Sequence, residues 1–176
     1  MKATGAFPLG TLPVMEINGI KYTQSNALTR YIGKLANLYP HDVLLAFRVD
    51  EIMDIVEDGF AALVPTLNMG EAERKVARTK IIAADGTGAL HNVAALLAQR
   101  HKENGGSVFM VGNSVTIADL KAAAFVEAIA TGFLEPEIGK TWLPNTFKEF
   151  HAAFYDKVVP IIVIAAEKAK DDAKTT

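Results

Sequence analysis

The chain has 176 residues, half of them hydrophobic, so it is long enough to bury a core of its own. A net charge of −2 gives no reason to expect nucleic acid or an anionic membrane as a partner, and the absence of cysteine excludes disulfides, dithiol redox chemistry and a cysteine nucleophile. We find no signal-peptide core at the N-terminus and no apolar run of membrane length, so we expect a cytoplasmic protein without a membrane span.

The first predicted element is a β-hairpin over residues 13–22. Residues 13–17 and 20–22 are rich in strand formers, and Asn18 and Gly19 separate them. Asn-Gly favours a two-residue turn because both of its positions need a positive φ. A two-stranded hairpin is only marginally stable in water. We therefore expect an upstream segment or a partner to complete the sheet.

Helices are predicted for the rest of the chain, from apolar residues at helical spacing. Ser25 is the predicted N-cap of the first helix, and Pro160 is predicted in the first turn of the last. Thr116 and Asp119 form a predicted capping box, a structural feature rather than a chemical one. The predicted fold class is α+β and mostly helical, with helices over residues 25–38, 43–64, 71–101, 116–131, 143–157 and 160–170.

Three spaced motifs carry a resemblance to a known family. The first is GTLPVMEING at residues 10–19, continued by QSNALTRYI at residues 24–32. The second and third lie at residues 49–60 and 111–119. In this order they resemble the glutathione transferases. The acidic run of the second motif is most similar to the sigma class, which includes the haematopoietic prostaglandin D synthases.

The resemblance implies two domains. Residues 1–38 would be part of a thioredoxin-like, glutathione-binding domain, a β-hairpin plus one helix. Residues 43–176 would be the all-helical C-terminal domain of the family. Sigma-type enzymes lower the pKa of the glutathione thiol with a tyrosine in a first strand–helix–strand segment. We expect that segment to be missing from this chain, which would then contain no catalytic residue.

The same resemblance implies a glutathione site. Leu12 would pair through its backbone with the cysteinyl part of the ligand, next to Pro13 in the cis form. An ordinary trans proline is the alternative, because few X–Pro bonds are cis. Gln24 and Ser25 would bind the γ-glutamyl carboxylate at a helix start. Asp58 of a second copy would reach the ligand's amino group, so a homodimer is expected.

The long second helix presents four acids on one face, Asp50, Asp54, Glu57 and Asp58. A solvated face is the ordinary explanation of such a run. The resemblance implies instead that Asp54 and Glu57 bind Mg²⁺ between subunits. A third alternative is that bases of the next helix neutralise the acids across an interface, namely Arg74, Lys75, Arg78 and Lys80.

Two functions remain open at this point. The chain is either a glutathione transferase, which conjugates glutathione to a small electrophile or isomerises a peroxide, or a non-catalytic transferase-like module for binding or dimerisation. Its four histidines show no metal-ligand spacing and are interpreted as surface or packing residues.

Overall fold

The computed structural model describes residues 7–130 and 136–174 of the chain. The predicted end of one helix at residues 131–132 lies outside them. A hairpin is followed by a block of helices, which confirms the predicted fold class. The elements in chain order are β1 Met15–Ile17, β2 Ile20–Tyr22, α1 Ser25–Leu35, α2 Val43–Leu63, α3 Glu71–Ile81, α4 Ala89–Glu103, α5 Ile117–Ala128, α6 Pro136–Thr146, α7 Lys148–Phe150 and α8 Asp156–Lys174.

The hairpin has the predicted turn. Asn18 and Gly19 have φ values of 52° and 79°, the left-handed conformation that a two-residue hairpin turn of this type needs. The strands are antiparallel, with Met15 opposite Tyr22 and Ile17 opposite Ile20. Among the described residues these two strands make up the whole sheet, so both of its outer edges lack a strand neighbour.

Helix α1 connects the hairpin to the helical block. Gly33 is buried where α1 approaches α5, and a Cβ atom built there would lie 2.5 Å from Cγ2 of Ile117. A side chain at this position would therefore push the two helices apart. The Ile117 amide also donates to the Leu38 carbonyl at 2.9 Å, which joins the segment after α1 to the start of α5.

The core is built around α2, which packs against α4 and α5. The apolar residues that recur at helical spacing along α2 form its buried face, in which every member except half-buried Phe60 is at most 1% exposed. The Phe60 ring meets Phe125 of α5 edge to face at 5.3 Å. The buried members of that face are Val49, Ile52, Met53, Val56 and Leu63.

None of the helices in the described ranges is long and apolar enough to cross a membrane.

The predicted single helix over residues 71–101 is wrong, because residues 82–88 divide it into α3 and α4. Asp85 accepts hydrogen bonds from the amide and hydroxyl of Thr87 at 2.9 and 2.6 Å. Gly86 between them has φ 87°. A side chain that bonds the backbone two residues on competes with the helix, and the apolar periodicity does not reveal this.

The C-terminal boundaries also differ from the prediction of helices over 143–157 and 160–170. Helix α6 starts earlier, and a π-helical turn over residues 151–155 leads directly into α8. Pro160 therefore lies inside α8 and not in its first turn. Its missing N–H leaves the Asp156 carbonyl without the usual helical donor.

The predicted capping box at the start of α5 is confirmed. Oδ2 of Asp119 accepts from the amide and hydroxyl of Thr116 at 2.7 and 2.9 Å. Its other oxygen accepts from the Met110 amide at 2.7 Å, a contact from the preceding loop that the motif does not predict. Asp119 is fully buried, so one carboxylate secures both the helix and the loop before it.

Candidate functional site

The first part of the candidate site is the open end of the hairpin. The Leu12–Pro13 peptide bond is cis, as predicted. The side chain of Leu12 is 76% exposed. If the register of the hairpin is continued beyond the strands, it sets Pro13 opposite Gln24 and Leu12 opposite Ser25. The segment before β1 and the start of α1 therefore lie at the same end of the hairpin.

The second part is the start of α1, where the sequence prediction needs one correction. The N-cap is Gln24 and not Ser25, which is the first residue of the helix. Gln24 has φ 77° and ψ 101°, a conformation that non-glycine residues seldom adopt. The Gln24 side chain makes no capping hydrogen bond, and the described part of the chain supplies no other cap at this end. The first N–H groups of α1 and the positive end of its dipole are thus left for another acceptor.

Asp50 and Asp54, the first two acids on the acidic face of α2, are neutralised by an arginine of the same chain. Nε of Arg30 donates to Asp50 at 2.6 Å, and a terminal nitrogen of Arg30 donates to Asp54 at 3.1 Å. Asn26 adds a bond to the same oxygen of Asp54 at 3.0 Å. Tyr39 donates to the second oxygen of Asp50 at 2.9 Å, and burial together with this bond raises the pKa of Tyr39.

The magnesium prediction is not supported. Asp54 is held by Arg30, and Glu57 forms an ion pair with Lys121 at 3.1 Å. The residues that the structure describes contain no group of three or more side chains that could hold a metal ion. Asp58 differs from its neighbours, since it is exposed and has no hydrogen-bond or ion-pair partner in the described part of the chain.

Of the four α3 bases proposed to neutralise these acids across an interface, Arg78 is engaged within its own chain. Arg78 is only 5% exposed, and its Nε donates to the hydroxyl of Thr66 at 3.1 Å within the same chain. It is therefore a packing residue of this subunit. The cations that Asp50, Asp54 and Glu57 pair with, Arg30 and Lys121, come from α1 and α5.

We expect Arg30→Met to lower the free energy of unfolding by about 1 kcal/mol, measured by urea denaturation. The half-buried carboxylate of Asp50 would lose its closest cation, while exposure of the pair to solvent keeps the loss moderate. Arg30→Lys is the matched control, since it retains the charge but cannot bond both acids as a fork. If Arg30→Lys loses no stability while Arg30→Met does, the charge alone is sufficient and the forked contact contributes nothing.

Sequence comparison finds relatives among the glutathione transferases. Glutathione S-transferase 2 of Manduca sexta is 45% identical over 51 residues, 29% of this chain and 25% of that protein. Glutathione S-transferase 1 of Ascaris suum is 32% identical over 113 residues, 64% of this chain and 54% of that protein. Human haematopoietic prostaglandin D synthase is 27% identical over 112 residues, 64% and 52% of the two chains. No protein-family model matches the chain.

Solved structures share the same fold. A prostaglandin D synthase of Nilaparvata lugens superposes with a TM-score of 0.70 at 23% identity, over 93% of this chain and 75% of that one. A monomeric glutathione S-transferase of the hookworm Necator americanus gives 0.68 at 25% identity, over 86% and 69%. In sequence and in fold, the chain is similar to the glutathione transferase family. Its resemblance within the family is to the sigma type. It spans between about a quarter and about half of the length of the curated relatives named above.

An apolar cavity of about 280 Å³ lies behind the glutathione-transferase motif, between the hairpin and α1. Its walls include Tyr22 and Tyr31, both close to half exposed. The other two tyrosines of the chain have their hydroxyls in use, Tyr39 on Asp50 and Tyr155 on Glu127. Burial and the bond to Glu127 raise the pKa of Tyr155 to about 12. That no tyrosine of this chain activates the thiol stays a prediction.

Sequence reasoning missed Arg30, Asn26 and Tyr39 as parts of this region. Arg30 and Asn26 lie within the transferase motif itself, one helical turn apart, so their common direction was readable from the spacing. The sequence does not show that Arg30 and Asn26 face the acids of α2, because this depends on how α1 crosses α2. The ligand roles of Leu12, Pro13, Gln24, Ser25 and Asp58 are not tested by these contacts and stay predictions.

Proposed function

We propose that this chain binds the tripeptide glutathione at the open end of the hairpin, in the manner of a glutathione transferase. The observation that carries the proposal is the uncapped start of α1 after the left-handed Gln24. Free N–H groups at a helix start favour an anion, and the γ-glutamyl carboxylate supplies one. The hydroxyl of Ser25 would add a donor. The backbone of Leu12, an exposed residue, would pair with the cysteinyl part.

A second copy of the chain would complete this site. Asp58 is the acid on the α2 face that has no cation beside it among the described residues, whereas Asp50, Asp54 and Glu57 are paired within the chain. An unpaired carboxylate suits the ammonium group of glutathione. We infer that Asp58 binds this group across a homodimer interface. Magnesium is not part of the proposal, because Asp54 and Glu57, the acids expected to bind it, are paired with Arg30 and Lys121.

The reaction we propose is transfer of the glutathione thiolate to a small electrophile. In a substitution, the sulfur of glutathione would form a bond to an electrophilic carbon while a leaving group departs. In an addition, the same bond would form and a proton from solvent would complete the product. The rate would come from a thiolate held close to that carbon. We propose that these residues bind glutathione for this reaction. None of them is proposed to ionise the thiol.

The alternative is a non-catalytic module of the same family, and the engaged tyrosine hydroxyls favour it. Tyr39 and Tyr155 each donate to a carboxylate, so neither hydroxyl is left to stabilise a thiolate. Such a module would still bind glutathione. The two functions therefore share one site and differ in whether a conjugate forms.

We expect Ser25→Ala to weaken glutathione binding about tenfold, because it removes a donor to a charged group. Asp58→Asn should weaken it to a similar extent. Isothermal titration with glutathione measures both. Ser114→Ala and Glu73→Gln are matched controls at exposed positions on the loop before α5 and on α3, and they should leave binding unchanged.

Two outcomes separate the possibilities. Failure of the intact chain to bind glutathione would overturn the proposal in both of its forms. Binding without conjugation of a chromogenic aryl halide would select the non-catalytic module. If Asp58→Asn has no effect while Ser25→Ala does, the site is completed within one chain, and the dimer part of the proposal is wrong.

A further inference from the structure

We propose that the tip of the hairpin is a site of spontaneous modification, at which Asn18 converts to aspartate and isoaspartate. The chain contains two Asn-Gly pairs, Asn18-Gly19 and Asn104-Gly105. A glycine after asparagine lets its backbone nitrogen approach the preceding side chain, because no Cβ atom is in the way. Their sequence makes the two pairs equally reactive, and the fold distinguishes them.

The reaction needs only water as a second reactant. The backbone nitrogen of Gly19 bonds to Cγ of Asn18, and the proton of that nitrogen passes through solvent to the carboxamide nitrogen, which leaves as ammonia. The product is a five-membered cyclic imide. Water then breaks one of the two C–N bonds in the ring. Cleavage at Cγ gives aspartate, and cleavage at the main-chain carbonyl gives isoaspartate, whose backbone is longer by a carbon atom.

Nothing in the described part of the chain restrains the first pair. Asn18 and Gly19 are both exposed, and neither the Asn18 side chain nor the Gly19 amide has a hydrogen-bond partner among the described residues. The strands that the turn joins share three residue pairs, and no third described strand supports them. A sheet of this size is marginally stable, so the turn opens readily into the conformation that ring closure needs.

The carboxamide of the second pair is held in place by the loop before α5. Nδ2 of Asn104 donates to the carbonyls of Phe109 and Gly112 at 2.9 and 2.8 Å. Its Oδ1 accepts from the Gly112 amide at 3.0 Å and from Arg48 of α2 at 3.4 Å. Attack by the Gly105 nitrogen would require the side chain to rotate out of these bonds. Asn104 is therefore protected, although it also precedes a glycine.

Isoaspartate at this position would break the hairpin. The two-residue turn sets Ile17 opposite Ile20, and its geometry has no place for an additional backbone atom. Aspartate keeps the length of the backbone, and Asp-Gly also suits this type of turn. We therefore expect the pairing of the two strands to be lost through isoaspartate and not through the new negative charge.

Peptide mapping of the intact chain after prolonged incubation at mildly alkaline pH tests the proposal. Asn18 is the only asparagine in the tryptic peptide of residues 3–21, and Asn104 falls in the peptide of residues 103–121. Mass spectrometry follows the gain in mass that replacement of NH2 by OH brings. We expect Asn18 to react at least about tenfold faster than Asn104, because ring closure at Asn104 first breaks several hydrogen bonds. In concentrated urea, where both sites are unfolded, the two rates should become similar.

Nuclear magnetic resonance measures the effect on the hairpin. Glu16 lies opposite Lys21, so the contact between their Hα atoms reports the pairing of the strands. We expect this contact to disappear in the fraction of the chain that contains isoaspartate. Freshly prepared Asn18→Asp is the matched control, since it adds the charge without the additional atom, and it should keep the contact.

The proposal is overturned if Asn18 stays unmodified in the native chain, or if Asn104 reacts there as fast as Asn18. It is also overturned if the two rates differ as much in urea as in the native chain, because the cause is then the neighbouring sequence and not the fold. A contact that persists in the isoaspartate form would show that the turn accepts the longer backbone. None of these measurements involves glutathione, so their outcome is independent of the proposed glutathione site.

Discussion

Asp119→Ala is expected to lower the free energy of unfolding by roughly 3–5 kcal/mol. The variant removes an acceptor from the amides of Met110 and Thr116, both bonded to it at 2.7 Å. Both amides are shielded from bulk water, because Asp119 and Met110 are fully buried and Thr116 is 6% exposed. Each buried donor without a partner costs about 1–3 kcal/mol, and the helix also loses its cap. Urea denaturation followed by circular dichroism measures the change.

Two controls separate the buried contacts of Asp119 from loss of an aspartate in general. Asp119→Asn preserves the size of the side chain but turns an amide donor toward one of the two N–H groups, so it should also be clearly destabilising. Asp85→Ala removes bonds to an amide and a hydroxyl from an exposed loop and should cost much less. Similar losses for Asp119→Ala and Asp85→Ala would contradict the argument from burial.

The second large effect is expected at Gly59, where α2 crosses α5. A Cβ atom built at this position would lie 2.5 Å from Cζ of Phe125 and 3.1 Å from Cγ1 of Val93. The Phe125 ring is fully buried and cannot turn away into solvent. We therefore expect Gly59→Ala to lower the free energy of unfolding by about 1–3 kcal/mol, although alanine has the higher helix propensity.

A double-mutant cycle tests whether the Phe125 ring is the cause. Phe125→Leu alone should be destabilising because it leaves a cavity in the core. Combined with Gly59→Ala, the loss should be smaller than the sum of the two single losses, since the new methyl group enters the space that the ring has left. Additive losses would show that Gly59 is constrained by another neighbour.

Much of the candidate site was predictable from the sequence because its parts are local. The Asn18-Gly19 turn and the start of α1 depend on residues close together in the chain, and the cis bond before Pro13 follows from a motif of the same kind. The N-cap was misplaced by one residue, since a serine is the commoner cap and the left-handed conformation of Gln24 has no signal in composition.

The pairing of the acids on α2 could not be predicted. Their shared face follows from helical spacing, but their partners come from α1 and α5, which are distant in the chain. The distance between Arg30 and Asp50 depends on the angle at which two helices cross. The same holds for Arg78. Its charge suggested that it neutralises acids across an interface, but it is buried and bonded to Thr66.

The sequence by itself determined the resemblance to the glutathione transferases and a hairpin followed by helices, because short motifs and apolar periodicity act over a few residues. Only the tertiary structure decided which acids carry a cation, how Met110 depends on Asp119, and which of the two Asn-Gly pairs is held by its surroundings. These features join residues far apart in the chain. Their distances are set by the packing of whole helices, which local patterns do not encode.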